Sequence, residues 1–265
     1  MIKCLLILAA LGATAGGAPS APAAAPRPGS FFAQTVRAGT TILPAAAGAK
    51  VRPLASGENF FASGQIVNAP KGLALMFVLS NGDGLYLPDG GRLTLDEFTQ
   101  DPVFDTSRDV AYEPSRSTLR LALAQGVVAV SGRQPVPTSS FTLSTSLAQL
   151  AFHSRSFVVR ADADSVAITL FDGTVDVTVP ETGFHDTVLS GQTATLTRSN
   201  LHAAYPLQLA SITTDEQDRL GAWLAAANTA EIRVTFSSQG KKLVPAQMLP
   251  QSFTQQISVD DPRFR

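Results

Sequence analysis

The sequence predicts an all-β protein, and two observations carry that prediction. From about residue 41 to residue 197, apolar residues alternate with polar ones, and Gly, Pro, Asn or Asp interrupts the alternation about every ten residues. A period of two places alternate side chains on one face of a strand, and no helical periodicity intervenes. The pattern is typical of a sandwich, a barrel or a solenoid. We expect a β-solenoid-like or twisted β-sandwich of short antiparallel strands.

The clearest signal lies in residues 166–179, which read VAITLFDGTVDVTV. Apolar residues alternate on both sides of Asp172-Gly173, and glycine supplies the positive φ of a tight turn. This stretch predicts a β-hairpin with one buried face. The other strand predictions rest on the same alternation and cover Leu73–Leu79, Leu85–Leu87, Leu93–Leu95, Leu119–Leu123, Val128–Val130, Phe141–Leu143, Phe157–Val159 and Val188–Leu196.

The period changes near the C-terminus. Thr213 and Glu216 have the spacing of a capping box, and apolar residues then recur at positions 220, 223, 224 and 227. We predict one amphipathic helix over about 214–227 with Trp223 facing inward. A strand-like EIRVTFSS follows, with Ile232, Val234 and Phe236 on one face, and then a tail with little periodicity. Residues 198–265 are therefore predicted to form a small α+β appendage.

The N-terminal residues predict export. Lys3, an apolar core and small residues at 13 and 15 form the pattern of a secretory signal peptide, so residues 1–15 are expected to be removed. The protein would then be periplasmic or extracellular. Residues 16–40 are rich in Ala, Pro and Gly and are predicted to be a flexible segment. Cys4, the only cysteine, would leave with the signal peptide, which excludes disulfides and cysteine chemistry.

Charge and hydropathy exclude further classes of partner. The chain has 20 Lys and Arg against 21 Asp and Glu, with no obvious run of one sign. Nucleic acid and anionic surfaces are therefore not expected partners. No stretch after the signal peptide reaches the roughly 20 apolar residues of a transmembrane helix. We expect no membrane span.

The order of the strand motifs resembles the FecR domain, a periplasmic β-domain family. LYLPDGGRLTLDEF (85–98) is similar to the opening strand, turn and strand of that domain, and STLRLALAQGVVAV (117–130) to its central part. Residues 141–179 resemble its C-terminal half, and VLSGQTATLT (188–197) its closing strand. The resemblance spans about residues 40–197. It implies a module that works by contact with another protein.

Two features depart from that family. HSRSF (153–157) stands where the family usually has a Gly-Thr-x-Phe turn. Members in iron-uptake signalling usually carry a cytoplasmic anti-sigma segment and a membrane helix, and here a signal peptide takes their place. We therefore expect that this chain cannot pass a signal across the inner membrane alone.

The polar motifs do not predict a catalytic or metal-binding site. His185-Asp186 beside Thr187 could orient an imidazole as a general base, but a surface histidine in a loop is the interpretation we favour. There is no G-x-S-x-G motif of a serine hydrolase. Asn81, Asp83 and Asp89 do not have calcium-loop spacing and are interpreted as turn residues. We predict no catalytic residue, no cofactor and no metal site.

Two adjacent aromatic pairs are the candidate docking residues. A strand would bury one member of each pair and expose the other, so Phe31, Phe32, Phe60 and Phe61 could bind a partner. The alternative is that they cap one end of the core. The sequence thus predicts an exported, non-enzymatic FecR-like interaction module for another envelope protein, in signalling or assembly. A carbohydrate- or peptidoglycan-binding module is the alternative function.

Overall fold

A computed structural model describes residues 25–61, 63–102, 112–232, 234–239 and 242–248. These residues contain twenty β-strands, one α-helix and a short 3₁₀ helix, Arg198–Asn200. The predicted signal peptide, residues 1–15, lies outside the described residues.

The strands are short except for the central one. The first ten are β1 (Arg27–Pro28), β2 (Ser30–Thr35), β3 (Thr41–Leu43), β4 (Arg52–Pro53), β5 (Asn59–Phe61), β6 (Ser63–Ala69), β7 (Leu75–Leu79), β8 (Asp83–Leu87), β9 (Gly91–Gln100) and β10 (Ser117–Gly132). The next eight are β11 (Ser140–Ser144), β12 (Gln149–Phe152), β13 (Ser156–Ala161), β14 (Ser165–Leu170), β15 (Thr174–Val179), β16 (Phe184–Leu189), β17 (Gln192–Thr197) and β18 (Gln208–Ser211). Helix α1 (Thr214–Ile232), β19 (Val234–Gln239) and β20 (Lys242–Met248) follow.

The strands form two sheets that share β10. The first sheet has the order β4–β3–β6–β9–β10–β11–β12–β15–β16, with β1 beside the end of β9. The second has the order β5–β2–β7–β8–β10–β13–β14–β17–β18. All pairs are antiparallel except β10 with β11, which is parallel. The predicted fold class, all-β with a helical appendage, is confirmed, and the architecture is a twisted sandwich.

The central strand changes sheet at a glycine corner. Ser117 to Gly126 of β10 pair with β9 in the first sheet, and Gly126 to Gly132 pair with β8 and β13 in the second. Gly126 has a φ of 113°, and a Cβ there would lie 2.7 Å from the Gly90 carbonyl oxygen. Only a glycine fits a left-handed residue at so close an approach.

The predicted hairpin over residues 166–179 is wrong in its pairing. Strands β14 and β15 both form where expected, but β14 pairs with β13 and β17, whereas β15 pairs with β12 and β16. The Asp172-Gly173 turn therefore crosses from the second sheet to the first. Both strands bury their apolar faces in the same core from opposite sides, so the alternation is the same as that of a hairpin. Gly173 keeps the predicted positive φ, at 68°.

The core lies between the two sheets. The predicted inward positions of β14 and β15 are all fully buried. Towards the N-terminal strands, Phe31 stacks on Phe60 with ring centroids 5.8 Å apart, and it meets Phe77 and Phe98 edge-on. Such aromatic pairs stabilise the core beyond the area that they bury.

The structure corrects the predicted flexible segment 16–40. Strands β1 and β2 lie within it, and β2 pairs with β5 and β7 of the second sheet. A short apolar run, SFFA, lies within this Ala- and Pro-rich segment. Burial of its side chains stabilises a strand there, although the neighbouring residues have the composition of a flexible segment. The first strand among the described residues therefore begins at Arg27, ahead of the predicted boundary at 41.

The C-terminal appendage packs on the outer face of the second sheet. Helix α1 starts where predicted and extends beyond residue 227 to Ile232. Leu220 and Leu224 are buried against Val127, Ala129 and Val158, and Trp223 is half-buried beside them.

The hairpin β19–β20 covers the same outer face closer to β2. Val234, Phe236 and Leu243 bury Phe32 and Val78. The sequence predicts little periodicity in the tail that follows. The first part of that tail nevertheless forms strand β20, in which Leu243 is fully buried. Strand β18 pairs with β17, so the appendage starts after Ser211 and not at residue 198. Within the described ranges, no helix has the length and apolarity that crossing a membrane requires.

We expect Thr213→Ala to lower the free energy of unfolding by about 1 kcal/mol, because it removes the N-cap of α1. The predicted capping box is present: the Glu216 amide donates to Thr213 Oγ1 at 3.3 Å, and the Thr213 amide donates to Glu216 Oε2 at 3.1 Å. Urea denaturation of the variant beside Thr214→Ala, one residue further into the helix, measures this contribution. Equal losses in both variants would contradict it.

Candidate functional sites

The four phenylalanines predicted for docking offer little surface. Phe31, Phe32 and Phe60 are 0%, 3% and 6% exposed. Phe31 and Phe60 fill the core, while Phe32, on the opposite face of β2, lies under the β19–β20 hairpin. Phe61 is half-buried, with Lys242 Nζ 5.3 Å from its ring centroid. The structure thus corrects the docking prediction, because both faces of β2 are covered.

The predicted pairing of His185 with Asp186 does not form. His185 Nδ1 lies 3.2 Å from Thr178 Oγ1, on the outer face of the first sheet. Asp186 is on the other face of β16 and accepts a hydrogen bond from the Tyr205 hydroxyl. Adjacent residues of a strand point to opposite faces, so the sequence neighbours cannot act together.

A different histidine has a carboxylate partner. His153 Nε2 lies 3.0 Å from Asp176 Oδ2, and the Thr187 hydroxyl donates to Asp176 Oδ1 at 2.7 Å. The hydrogen bond from Thr187, followed by that from His153, holds the pKa of Asp176 below its usual value. His202 lies apart from this pair, 3.3 Å from Glu181. In the part of the chain that the structure describes, no three His, Cys, Asp or Glu side chains are arranged to hold a metal ion.

The three residues considered as calcium ligands separate into two environments. Asp89 accepts a hydrogen bond from the Gly72 amide at 2.7 Å in an exposed turn. Asn81 and Asp83 are fully buried, and Asn81 Nδ2 donates to Asp83 Oδ2 at 2.8 Å. The turn interpretation describes Asp89, whereas Asp83 belongs to a buried ionic cluster that the sequence did not predict.

The ionic cluster consists of Arg155, Asp83 and Glu113 and lies at one end of the sandwich. Arg155 Nη2 lies 2.6 Å from Glu113 Oε1, and Arg155 Nε lies 3.3 Å from Asp83 Oδ1. The Arg155 side chain is 3% exposed, and the two carboxylates are fully enclosed. One guanidinium thus faces two carboxylates away from water, and the charge of Arg133 also acts on Asp83.

The electrostatics of the cluster follow from burial. Burial raises the pKa of the Asp83 carboxyl, although the charge of Arg155 lowers it in part. Burial, and then the charge of Asp83, raise the pKa of Glu113. Desolvation disfavours the ionised form of a carboxyl, and a second carboxylate nearby adds to that effect.

Hydroxyl groups complete the cluster. Ser139 donates to Glu113 Oε2 at 2.6 Å, and Ser117 Oγ lies 3.2 Å from both Glu113 oxygens. These residues come from segments before β10, β11 and β13, so the cluster ties together the strand ends that close the core. A cavity of about 300 Å³ lies beside Arg155. Because the two carboxylates already neutralise Arg155, we interpret the cluster as structural.

Residues 84–176 match the family model described as FecR protein. The resemblance to FecR is confirmed over these residues. We call residues 84–176 the FecR region; it runs from β8 into β15 and contains Arg155 and Glu113 of the ionic cluster.

Solved structures resemble the chain only distantly. Two crystal structures, at 2.50 Å and 1.65 Å resolution, of a candidate anti-sigma factor from Parabacteroides distasonis are 12% and 10% identical to it, with TM-scores of 0.40 and 0.39. Each alignment covers 69% of this chain and 99% of the other. No curated protein matches the sequence.

The two sheets of the FecR region differ in what covers their outer faces. The second sheet is covered by α1 and the β19–β20 hairpin, as described above. The outer face of the first sheet has no such cover among the described residues and carries polar side chains. Those of its β10–β11–β12–β15–β16 part are Thr118, Arg120, Thr142, Ser144, Gln149, Thr174, Asp176, Thr178, His185 and Thr187. Among the described residues, this polar face is the uncovered sheet face of the FecR region, and β16 extends it beyond residue 176.

Proposed function

We propose that the chain is an exported, non-enzymatic FecR-like module that binds another protein of the cell envelope. The FecR match over residues 84–176 is the observation that carries this proposal. The resemblance to the FecR domain favours a role in envelope signalling or assembly. The signal-peptide pattern in residues 1–15 supports export.

The outer face of the first sheet supports binding to a protein. It combines hydroxyls with a few charged groups, Arg120 and Asp176 among them, and is half-exposed along its length. Protein interfaces outside obligate complexes have about the same polar character as ordinary surface. An extended, bare sheet face of this kind offers hydrogen-bonding groups at fixed spacings to a partner.

Affinity capture tests the proposal. The mature protein, residues 16–265, is incubated with cross-linked envelope extract, and the captured protein is then purified and titrated by calorimetry. We expect one saturable protein partner, whose binding is lost in Thr142→Arg and in Thr178→Arg, both on the outer face. Ala47→Arg, in an exposed loop before β4, is the matched control and should bind as the wild type does.

Two outcomes would contradict the proposal. Recovery of glycan fragments alone would support the carbohydrate-binding alternative, for which Tyr112 and Tyr205, about half-exposed, are the available aromatic faces. Reproducible turnover that His185→Ala abolishes would identify the protein as an enzyme.

A further inference from the structure

The edge strands of the two sheets differ in how well they are protected from pairing with a further strand. Strand β4 consists of Arg52 and Pro53, a charge and a residue without an amide hydrogen. Strand β5 has three residues and follows Glu58, which forms an ion pair with Arg52. Strand β16 carries Asp186. Charges, proline and short length are the means by which natural proteins block edge strands from pairing.

Strand β18 is also short, with four residues, but it has neither of the chemical protections, charge or proline. Its sequence is Gln-Leu-Ala-Ser, without charge or proline, and all four residues are exposed. Among the described residues its one strand partner is β17, so its other side presents unpaired backbone groups. It differs in this respect from the other three edges.

A single apolar side chain marks the side of β18 on which a further strand would fit. Leu209 pairs with Ala194, which is fully buried, so Leu209 lies on the core face of the second sheet. It is nevertheless 41% exposed, because no strand follows β18 at this margin of the sandwich. An apolar residue on an added strand would cover Leu209 and extend the core by one row.

We infer that β18 binds an extended, uncharged segment of a partner protein as an additional strand of the second sheet. The segment would place an apolar residue beside Leu209 and polar residues beside Gln208 and Ala210, since side chains alternate along a strand. Backbone hydrogen bonds provide the affinity in this mode, and the alternate side chains provide the specificity. The inference rests on the proposed function and adds a second contact surface to the outer face of the first sheet.

The length of the edge decides between a segment and a second copy of the chain. Four residues span roughly 13 Å at about 3.3 Å per residue, which suits a short peptide strand. A stable dimer buries about 800 Å² on each partner, far more than one four-residue strand provides. The edge therefore fits an extended segment better than another β18.

Hydrogen exchange with a synthetic peptide tests the inference. The probe is acetyl-Ser-Val-Thr-Val-Thr-Ser-amide, and the control is the same peptide with alternate amides methylated, which removes hydrogen bonding along one edge. At millimolar concentration we expect the first peptide to slow amide exchange in residues 208–211 at least threefold, and the methylated peptide to have no effect. Ser211→Pro, which removes an amide that points away from β17, and Leu209→Lys should each abolish the protection, while Ser199→Lys, outside the strand, should retain it.

The outcomes separate this inference from the proposed function. If peptide and captured partner both fail on Leu209→Lys but bind the wild type, the edge is the docking site. If the peptide leaves exchange at β18 unchanged, the inference is overturned even where the captured partner binds. Protection of the Leu209 and Ser211 amides, which point away from β17, that is already present without peptide would also overturn it, because the free edge would then be occupied by this chain or by a second copy.

Discussion

Replacing Arg155 with Met is expected to lower the free energy of unfolding by about 3–5 kcal/mol at pH 7. The substitution keeps an unbranched side chain of similar length but removes the one guanidinium that lies between Asp83 and Glu113. Two fully buried carboxylates would then lose the positive charge that both of them contact, while the charge of Arg133 would still favour the ionised form of Asp83. Removing one partner of a buried ion pair costs more than the pair itself contributes, because the remaining charge stays out of water.

The loss should depend on pH with a definite sign. Burial raises the pKa values of Asp83 and Glu113 above those of an unfolded chain, which lie near 4. A carboxyl with a raised pKa in the folded state contributes stability that is present below the unfolded pKa and is lost as pH rises through the folded one. Without Arg155 both pKa values rise further. The destabilisation should therefore be smaller at pH 5 than at pH 7.

Chemical denaturation at the two pH values measures this effect, with two controls. Arg120→Met removes an exposed arginine 3.4 Å from Glu97 and should change stability by less than about 1 kcal/mol. The triple variant Arg155→Met, Asp83→Asn, Glu113→Gln removes all three charges and should recover much of the loss. A loss of the same size at pH 5 and pH 7 would show that the carboxylates are not the cause.

Gly84→Ala is expected to displace helix α1 from the second sheet. A Cβ at Gly84 would lie 2.0 Å from the carbonyl oxygen of Ala227 and 2.7 Å from its carbonyl carbon. The contact is with backbone, so no side-chain rotation relieves it, and the helix must move. Overpacking of this kind costs about 1–3 kcal/mol. The displaced helix would also expose apolar residues of β8, β10 and β13.

Hydrogen exchange of α1 together with urea denaturation tests the second prediction. Residues 214–232 should exchange faster in Gly84→Ala, while the core strands β14 and β17 keep their protection. Gly221→Ala is the matched control, because it adds the same methyl group within α1 where nothing lies within 4 Å. Alanine is the better helix former, so this control should be neutral or stabilising by up to about 1 kcal/mol. Unchanged exchange of α1 in Gly84→Ala would contradict the close contact.

The comparison of Gly84 with Gly173 shows which glycines the sequence explains. Gly173 was interpreted as a turn residue with positive φ, and its φ of 68° agrees. Gly84, by contrast, lies within β8, and the absence of a side chain there admits the backbone of a helix about 140 residues later in the chain. Local sequence contains the requirement of a turn, and it contains no information on what packs above a strand.

At the candidate sites too, the sequence contains the local pattern but not the tertiary contacts. The alternation of polar residues along β11, β12 and β15 indicates an exposed face, although the sequence does not say that α1 covers the other sheet. The cluster of Arg155, Asp83 and Glu113 joins residues up to 72 positions apart, and only the departure HSRSF from the FecR turn indicated that this position differs. The docking prediction for Phe31 and Phe32 assumes that a strand exposes one member of the pair, and both members are buried because both faces of β2 are covered.

The sequence by itself determined most of the strands from β7 to β17 with their inward faces, the start of α1 with its capping box, and the FecR resemblance of residues 84–176. These features depend on interactions between residues close in the chain and on a period that each strand shows alone. The tertiary structure decided which strands pair, so that β14 and β15 belong to opposite sheets, and it decided which charges meet. The reason is physical: alternation specifies that a face is buried, whereas the partner that buries it is chosen by packing across the whole core.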